Sequence, residues 1–310
     1  MSAIDTPSLK AHIVNLIPDR LIYLYLRYSP LQLFKTGLAR NLRRREHYHD
    51  ATTAFGARMI DLRTCDAIQG RIYMFGTWEP NLTSFLAARL RNAEGRLFID
   101  VGANVGYFTL LAGLTMLSGK VMAIEALPAN YKRLQNNLRQ NTLAVTVEPQ
   151  CCAISDHSGS IDIYPAGKLN DGASTTVAGI VDSTPVQVPC VPLHSLVDDA
   201  WAARVRLIKI DVEGAEYQVI KGMLPLLAKL PADAELIVEL TPDRMSDQQQ
   251  DEIFDIFGAH GFHAYEIPNR YAFTEYVSPT IDRQFQRIQR IGERQTDILF
   301  TRHDGASVSY

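Results

Sequence analysis

From position 79 onward the chain repeats one pattern: a short run rich in Val, Ile and Leu, then a longer stretch with helical spacing, then another apolar run. Strands are expected at 96–101, 120–125, 145–154, 206–211, 235–240, 263–267 and 296–301, and helices at 80–91, 104–117, 129–141, 215–229 and 247–260. Strands that alternate with helices need crossover connections, which cover both faces of a sheet and make it parallel and doubly wound. The rhythm breaks between 158 and 196. There, short strand-like segments at 160–164 and 186–191 flank a Gly/Ser/Thr-rich loop at 170–176, which is expected to act as a lid over a substrate.

The first 77 residues read differently. Leu9, Ile13, Leu16 and Ile17 recur at helical spacing, a second amphipathic segment covers 21–34, and a basic run of Arg40, Arg43, Arg44, Arg45, His47 and His49 follows. That run is either a solvated helix end or a contact for an anionic substrate or membrane surface. Apolar and aromatic runs at 54–61 and 70–75 are expected to pair as a β-hairpin leading into the core. The resulting division is a helical and hairpin segment at 1–77, suited to substrate or oligomer contacts, a core domain at 78–303 and a tail at 304–310.

With 46% hydrophobic residues in 310, a sizeable core is available, and a net charge of −3 gives no general attraction to nucleic acid or anionic lipid. Cys65, Cys151, Cys152 and Cys190 contain no Cys-x-x-Cys pair and read as reduced thiols. Residues 13–26 are interrupted by Pro18, Asp19 and Arg20, and so fall short of the roughly 20 apolar residues of a membrane span. The start of the chain lacks the pattern of a secretion signal, so a cytoplasmic location is expected.

The segment Phe98-Ile-Asp-Val-Gly-Ala-Asn-Val-Gly106 is a strand, a turn and a helix start, the local form of a nucleotide pocket. A dinucleotide fingerprint needs glycines at 102, 104 and 107, whereas the chain has Gly102, Asn104 and Tyr107. An acid at the strand end and a turn with fewer glycines suit a cationic amino-acid nucleoside, and S-adenosylmethionine is such a ligand. Further acids stand at successive strand ends: Asp100, Glu125, Asp211 and Glu239, with Asp156 just past the third strand. Ligands in doubly wound sheets bind beyond those ends. Glu125 follows the turn by 19 to 23 residues, the spacing at which an acid accepts hydrogen bonds from ribose hydroxyls, in a nicotinamide or an adenosyl ligand alike.

Asp211 lies in Leu207-Ile-Lys-Ile-Asp-Val-Glu-Gly-Ala-Glu216 and is expected to project into the cleft beside Gly102. Glu213 and Glu216 fall at the next helix start, where capping and function are both open. Paired acids suit Mg²⁺, but no spacing specifies a ligand set, and no metal ligand is assigned. His194, His260 and His263 are scattered and read as structural with respect to zinc. Without a Gly-x-Ser-x-Gly turn or a phosphate loop, hydrolase and nucleotidase chemistry lose their main support.

Together with Ala123-Ile-Glu-Ala126, these two segments resemble the FkbM family of S-adenosylmethionine-dependent methyltransferases. Trp78-Glu79-Pro80, Ala153-Ile-Ser-Asp156 followed by Gly159, Val191-Pro-Leu193 and Asp297-Ile-Leu-Phe300 extend the resemblance over about 78–301. It implies a class I methyltransferase (Rossmann-like) α/β fold, a mostly parallel seven-stranded sheet whose last strand is antiparallel. It also implies that Asp100 and Gly102 line the methionine portion, Glu125 holds the ribose and Asp156 lies near the adenine, with Asn104, Gly106, Glu79 and Ala126 as further contacts. The acceptor is then a hydroxyl on a sugar, glycan or natural product. Asp211 is expected closest to the transferred methyl, with Glu239 and His194 as alternative bases. Two other readings stay open: a cofactor-binding scaffold without catalysis, and an NAD-dependent oxidoreductase. Nucleic acid is not an expected partner, and a homo-oligomer is left open.

Overall fold

A lone aspartate and a lone glycine decide the structure of one N-terminal segment. In the computed structural model, which describes residues 16–167 and 183–310, the 70–75 stretch belongs to a helix, not to a strand. Leu9, Ile13 and the 170–176 loop lie outside the described residues. The chain divides into two compact units, 1–78 with 270–280, and 79–269 with 281–310.

The first unit contains helices α1 (Asp19–Tyr28) and α2 (Lys35–Arg43), strands β1 (Tyr48–Thr52) and β2 (Arg58–Arg63), and helix α3 (Ala67–Phe75). Amphipathic α1 buries Ile22 and Leu26. The hairpin is formed by β1 and β2, antiparallel with Tyr48 opposite Arg63. The second arm expected at 70–75 is instead part of α3, because the Asp66 carboxylate accepts hydrogen bonds from the backbone N–H groups of Ile68 (2.9 Å) and Gln69 (2.8 Å), and Gly76 ends the helix at φ +75°. Residues 69 to 74 are all buried, so the helix shows no polar face and no readable period. Three members of the basic run are tied to Asp19 within this unit. Arg45 donates to the Ile17 carbonyl (2.8 Å), to Asn41 Oδ1 (2.8 Å) and to Asp19, and both His47 and His49 also turn to Asp19.

The second unit begins with α4 (Pro80–Arg91), β3 (Arg96–Val101), α5 (Tyr107–Thr115), β4 (Gly119–Ile124), α6 (Pro128–Arg139) and β5 (Thr146–Gln150). The run expected as one strand at 145–154 breaks at Cys151 and Cys152; its end is β6 (Ala153–Ile154), which joins β7 (Gly159–Ile163) and β8 (Val186–Val191) in a small separate sheet. After β9 (Val205–Ile210) come α7 (Glu216–Leu227), β10 (Glu235–Leu240), α8 (Asp247–Ala259), β11 (His263–Ile267), β12 (Gln284–Ile288), β13 (Thr296–Thr301) and β14 (Ser307–Ser309). Helix α5 starts at Tyr107 and not at 104, because Asn104 (φ +50°) and Gly106 (φ +93°) are in the left-handed region.

The main sheet has the order β14-β12-β11-β13-β10-β9-β3-β4-β5. From β5 to β11 this is the seven-stranded class I methyltransferase sheet, with β13 antiparallel to both β10 and β11. Two strands, β12 and β14, add to it beyond the expected seven, so residues 307–309 continue the sheet. Alternation along each strand sorts the faces. Leu97, Ile99, Val101, Ile208, Ile210, Leu236, Val238, Ile298 and Phe300 share a core with Val219, Ile220 and Met223 of α7 and Ile253 and Phe257 of α8. The alternate residues, pointing to the other face, include Asp100, Lys209, Glu239 and Asp297. All four cysteines are free thiols. Among the described residues no helix is long and apolar enough to cross a membrane.

Candidate active site

The turn after β3 is shaped by crowding. Gly102 has φ +83°, and a Cβ there would stand 1.8 Å from the carbonyl oxygen of Asp211, so only glycine fits. The Asp211 N–H donates in turn to the Val101 carbonyl (3.0 Å), and the N–H groups of Gly102 and Ala103 both donate to the Ile124 carbonyl (2.9 Å each). The loops after β3, β4 and β9 are thereby joined by backbone contacts. Glu125, the first residue past β4, is buried and spans the gap: its Oε2 accepts from the Asn104 N–H (2.8 Å) and its Oε1 from the Leu127 N–H (2.9 Å). Burial pushes its carboxyl up to about 7, against the lowering effect of those two donors. Ala126 follows it, partly buried.

On the face away from α7 and α8, sheet register lines up a row of ionisable groups. Asp100 of β3 lies opposite Lys209 of β9, and Glu239 of β10 lies opposite Asp297 of β13. Asp211, two residues past Lys209, shares its face, and its Oδ2 meets Lys209 Nζ at 2.8 Å. Lys209 is 2% exposed and its ammonium sits 5.0 Å from the centre of the Phe108 ring. Burial works against its charge, but Asp211, Asp100 and Glu79 outweigh burial and hold it above the ordinary lysine range. Glu79 joins the row from the residue before α4, at φ +41°. One carboxylate oxygen from each of Glu79, Glu239 and Asp297 lies within 4.8 Å of the others, and the same holds for Asp211, Glu213 and Glu239.

Carboxyl groups packed this closely in a dry site cannot all be ionised. Burial, then the nearby charge of Asp211, pushes Asp297 up to about 7. Burial, then Asp211, Asp297 and Glu79, drives Glu239 well above the carboxylate range. Asp100 is raised by burial as well; its Oδ2 accepts from the Thr109 hydroxyl (2.6 Å), and its buried Oδ1 has no hydrogen-bond partner.

The other candidates fall around this row. Glu213, at φ +58°, pairs with Arg244 and is pushed up to about 7 chiefly by burial. Glu216 accepts from the Gly214 N–H (3.0 Å) and so closes the turn at the start of α7. His194 is exposed and outside the row, its Nδ1 2.8 Å from the Gly222 carbonyl oxygen on α7. Asp156 stands after β6 at the surface, 2.7 Å from His157 Nδ1, a hydrogen bond that lowers its pKa. Gly106 caps α5, and Leu134 of α6 lies against it. Sequence reasoning assigned no role to Lys209, Asp297 or Arg244. A lysine inside an apolar strand, two residues before an acid, was the available signal for the first; the other two depend on register and tertiary packing.

The donor set fits S-adenosylmethionine. A buried, unpartnered Asp100 Oδ1 beside the Gly102 turn suits an ammonium, Glu125 can accept from ribose hydroxyls, and an acid-rich wall suits a sulfonium cation. The chain is 28% identical over 196 residues to 31-O-demethyl-FK506 methyltransferase FkbM of Streptomyces tacrolimicus, a match covering 54% of this chain and 73% of that protein. It is 26% identical over 130 residues to hexuronic acid methyltransferase AglP of Haloferax volcanii, covering 42% of this chain and 51% of that protein. A solved structure, M. jannaschii TYW2 in complex with AdoMet, aligns over 83% of this chain and 85% of that one at a TM-score of 0.41 and 11% identity. Residues 100–264, more than half of the chain, match the model of the methyltransferase FkbM domain, and the chain therefore belongs to the FkbM family of S-adenosylmethionine-dependent methyltransferases.

Proposed function

We propose that the protein methylates a hydroxyl oxygen of a sugar, glycan or natural product. The observation that carries this reading is the row of Asp100, Asp211, Glu239, Asp297 and Glu79 around a single Lys209, beside the Gly102 turn. Such a wall attracts a cationic donor and offers oxygens to an acceptor hydroxyl. When bound, S-adenosylmethionine supplies a methyl group already activated by its sulfonium, so the protein's task is alignment, water exclusion and one proton. Asp100 and Gly102 line the amino-acid end, with Asn104 and Gly106 completing the turn. Glu125 with Ala126 takes the ribose, Asp156 lies toward the adenine, and Glu79 closes the wall.

Asp211 then orients the acceptor hydroxyl and takes its proton on a carboxylate oxygen, while the Lys209 ammonium holds that carboxylate in place from the β9 side. Glu239 is the second candidate to receive the proton and His194 the third. The names of two relatives support an oxygen acceptor: one is a 31-O-demethyl-FK506 methyltransferase and the other a hexuronic acid methyltransferase. The 1–77 segment and the 304–310 tail flank a catalytic domain at 78–303 in this proposal.

The test is Asp211→Asn, assayed for S-adenosylmethionine binding by calorimetry and for methyl transfer over a panel of glycans and natural-product alcohols. Retained binding with turnover lowered about 10²-fold or more is expected. Full turnover in the variant removes Asp211 from the role, and wild-type binding of the cofactor with no transfer to any hydroxyl favours a scaffold.

A further inference from the structure

Three side chains of the first unit converge in a way that the methyltransferase chemistry does not use. His47 and His49 are two apart on the extended chain entering β1, so both rings leave the same face. Both rings reach the same oxygen of Asp19, the first residue of α1: Asp19 Oδ2 lies 2.5 Å from His47 Nδ1 and 3.0 Å from His49 Nε2. These three ligand atoms all lie within 4.8 Å of one another. We propose that Asp19, His47 and His49 form a binding site for a divalent transition-metal ion of the zinc type, which clips α1 to the β1–β2 hairpin.

The donor chemistry selects this class of ion. Two imidazole nitrogens and one carboxylate oxygen suit Zn²⁺ and its transition-metal neighbours, whereas Mg²⁺ and Ca²⁺ take oxygen ligands. Bonds of about 2.0–2.1 Å in a tetrahedral site set ligand atoms roughly 3.3 Å apart, so shifts below about 1 Å separate the present arrangement from a coordinating one. The supporting contacts are those of a built site. Arg45 takes the other oxygen, Asp19 Oδ1, and is itself anchored on the Ile17 carbonyl and Asn41, which leaves Oδ2 turned to the imidazoles. The His49 ring is stacked on Tyr73 (4.7 Å, 12° between planes), and Tyr73 is stacked on Tyr23 (4.8 Å, 21°), which fixes the ring's orientation. Asp19 is nearly buried, while the His47 side chain is 56% exposed and gives an ion an entry path and a water for its fourth position.

The 310-residue chain, stripped with a chelator, can be titrated with Zn²⁺ by calorimetry and with Co²⁺ in the visible. Uptake of one equivalent is expected, with the intense Co²⁺ absorption of a four- or five-coordinate site, and Zn²⁺ should raise the unfolding midpoint. His47→Ala and His49→Gln are each expected to weaken Zn²⁺ binding at least ~10-fold, and the double variant to abolish it. His47 is exposed enough for its single variant to fold, which circular dichroism checks. Failure of the wild-type chain to take up Zn²⁺ overturns the proposal, as does uptake that the double variant retains, since the ion is then held by other histidines.

Discussion

Replacing Glu125 with glutamine separates the charge of this side chain from its shape. In the folded chain its carboxyl titrates at about 7, compared with an ordinary value of 4.5. Because the folded value is raised, the folded state holds the proton over a range in which the unfolded state has lost it. The resulting stabilisation is full below about pH 4.5, declines as pH rises, and is gone above about 7. Between pH 5 and pH 8 the carboxyl therefore removes about 2–3 kcal/mol of stability, at about 1.4 kcal/mol per unit. Glu125→Gln abolishes that titration. It also adds a constant cost, since glutamine has one acceptor oxygen for the two N–H groups of Asn104 and Leu127, and an unmatched buried donor costs about 1–3 kcal/mol. Urea unfolding of both proteins at pH 5 and pH 8 should show the stability of the wild type relative to the variant falling by about 2–3 kcal/mol between the two. The other titrating carboxyls are common to both proteins and cancel in the difference. Parallel pH profiles would refute the reasoning, because they mean that Glu125 titrates near its ordinary value.

Two further substitutions test the site's architecture. Gly102→Ala puts a Cβ against the Asp211 carbonyl at a positive φ and should cost about 2–5 kcal/mol, the sum of left-handed strain and overpacking, read from urea midpoints; a loss under about 0.5 kcal/mol contradicts the crowding. Lys209→Met leaves Asp211 without its buried cation and should destabilise by about 3–5 kcal/mol at neutral pH, with a smaller loss in acid as the carboxylates protonate; an equal loss at pH 5 and pH 8 shows that packing, and not charge, is what lysine supplies.

The central strands were readable because strands buried on both faces are unbroken apolar runs. The 70–75 stretch misled for a related reason: a helix buried all round has no period either. Its two punctuation marks, Asp66 and Gly76, were in the sequence and outweigh the apolar composition between them. The Gly102 turn and the placement of Asp211 beside it are legible because local spacing builds them. The partnership of Glu239 with Asp297 was not, since the two are opposite only through the antiparallel register of β13, a strand entered 56 residues after the end of β10 and from the opposite direction. The site at Asp19 was hidden by distance in sequence as well: His47 and His49 looked like the end of a basic run until α1 brought a carboxylate to them.

The contact between Gly102 and the Asp211 carbonyl, returned by the Asp211 N–H to Val101, fastens the crest of one loop to the crest of the next. Two loops riveted in this way have little freedom left to lose when ligands arrive. In the proposed site, the ordering cost of bringing the Gly102 and Asp211 loops together thus falls on folding and not on ligand binding.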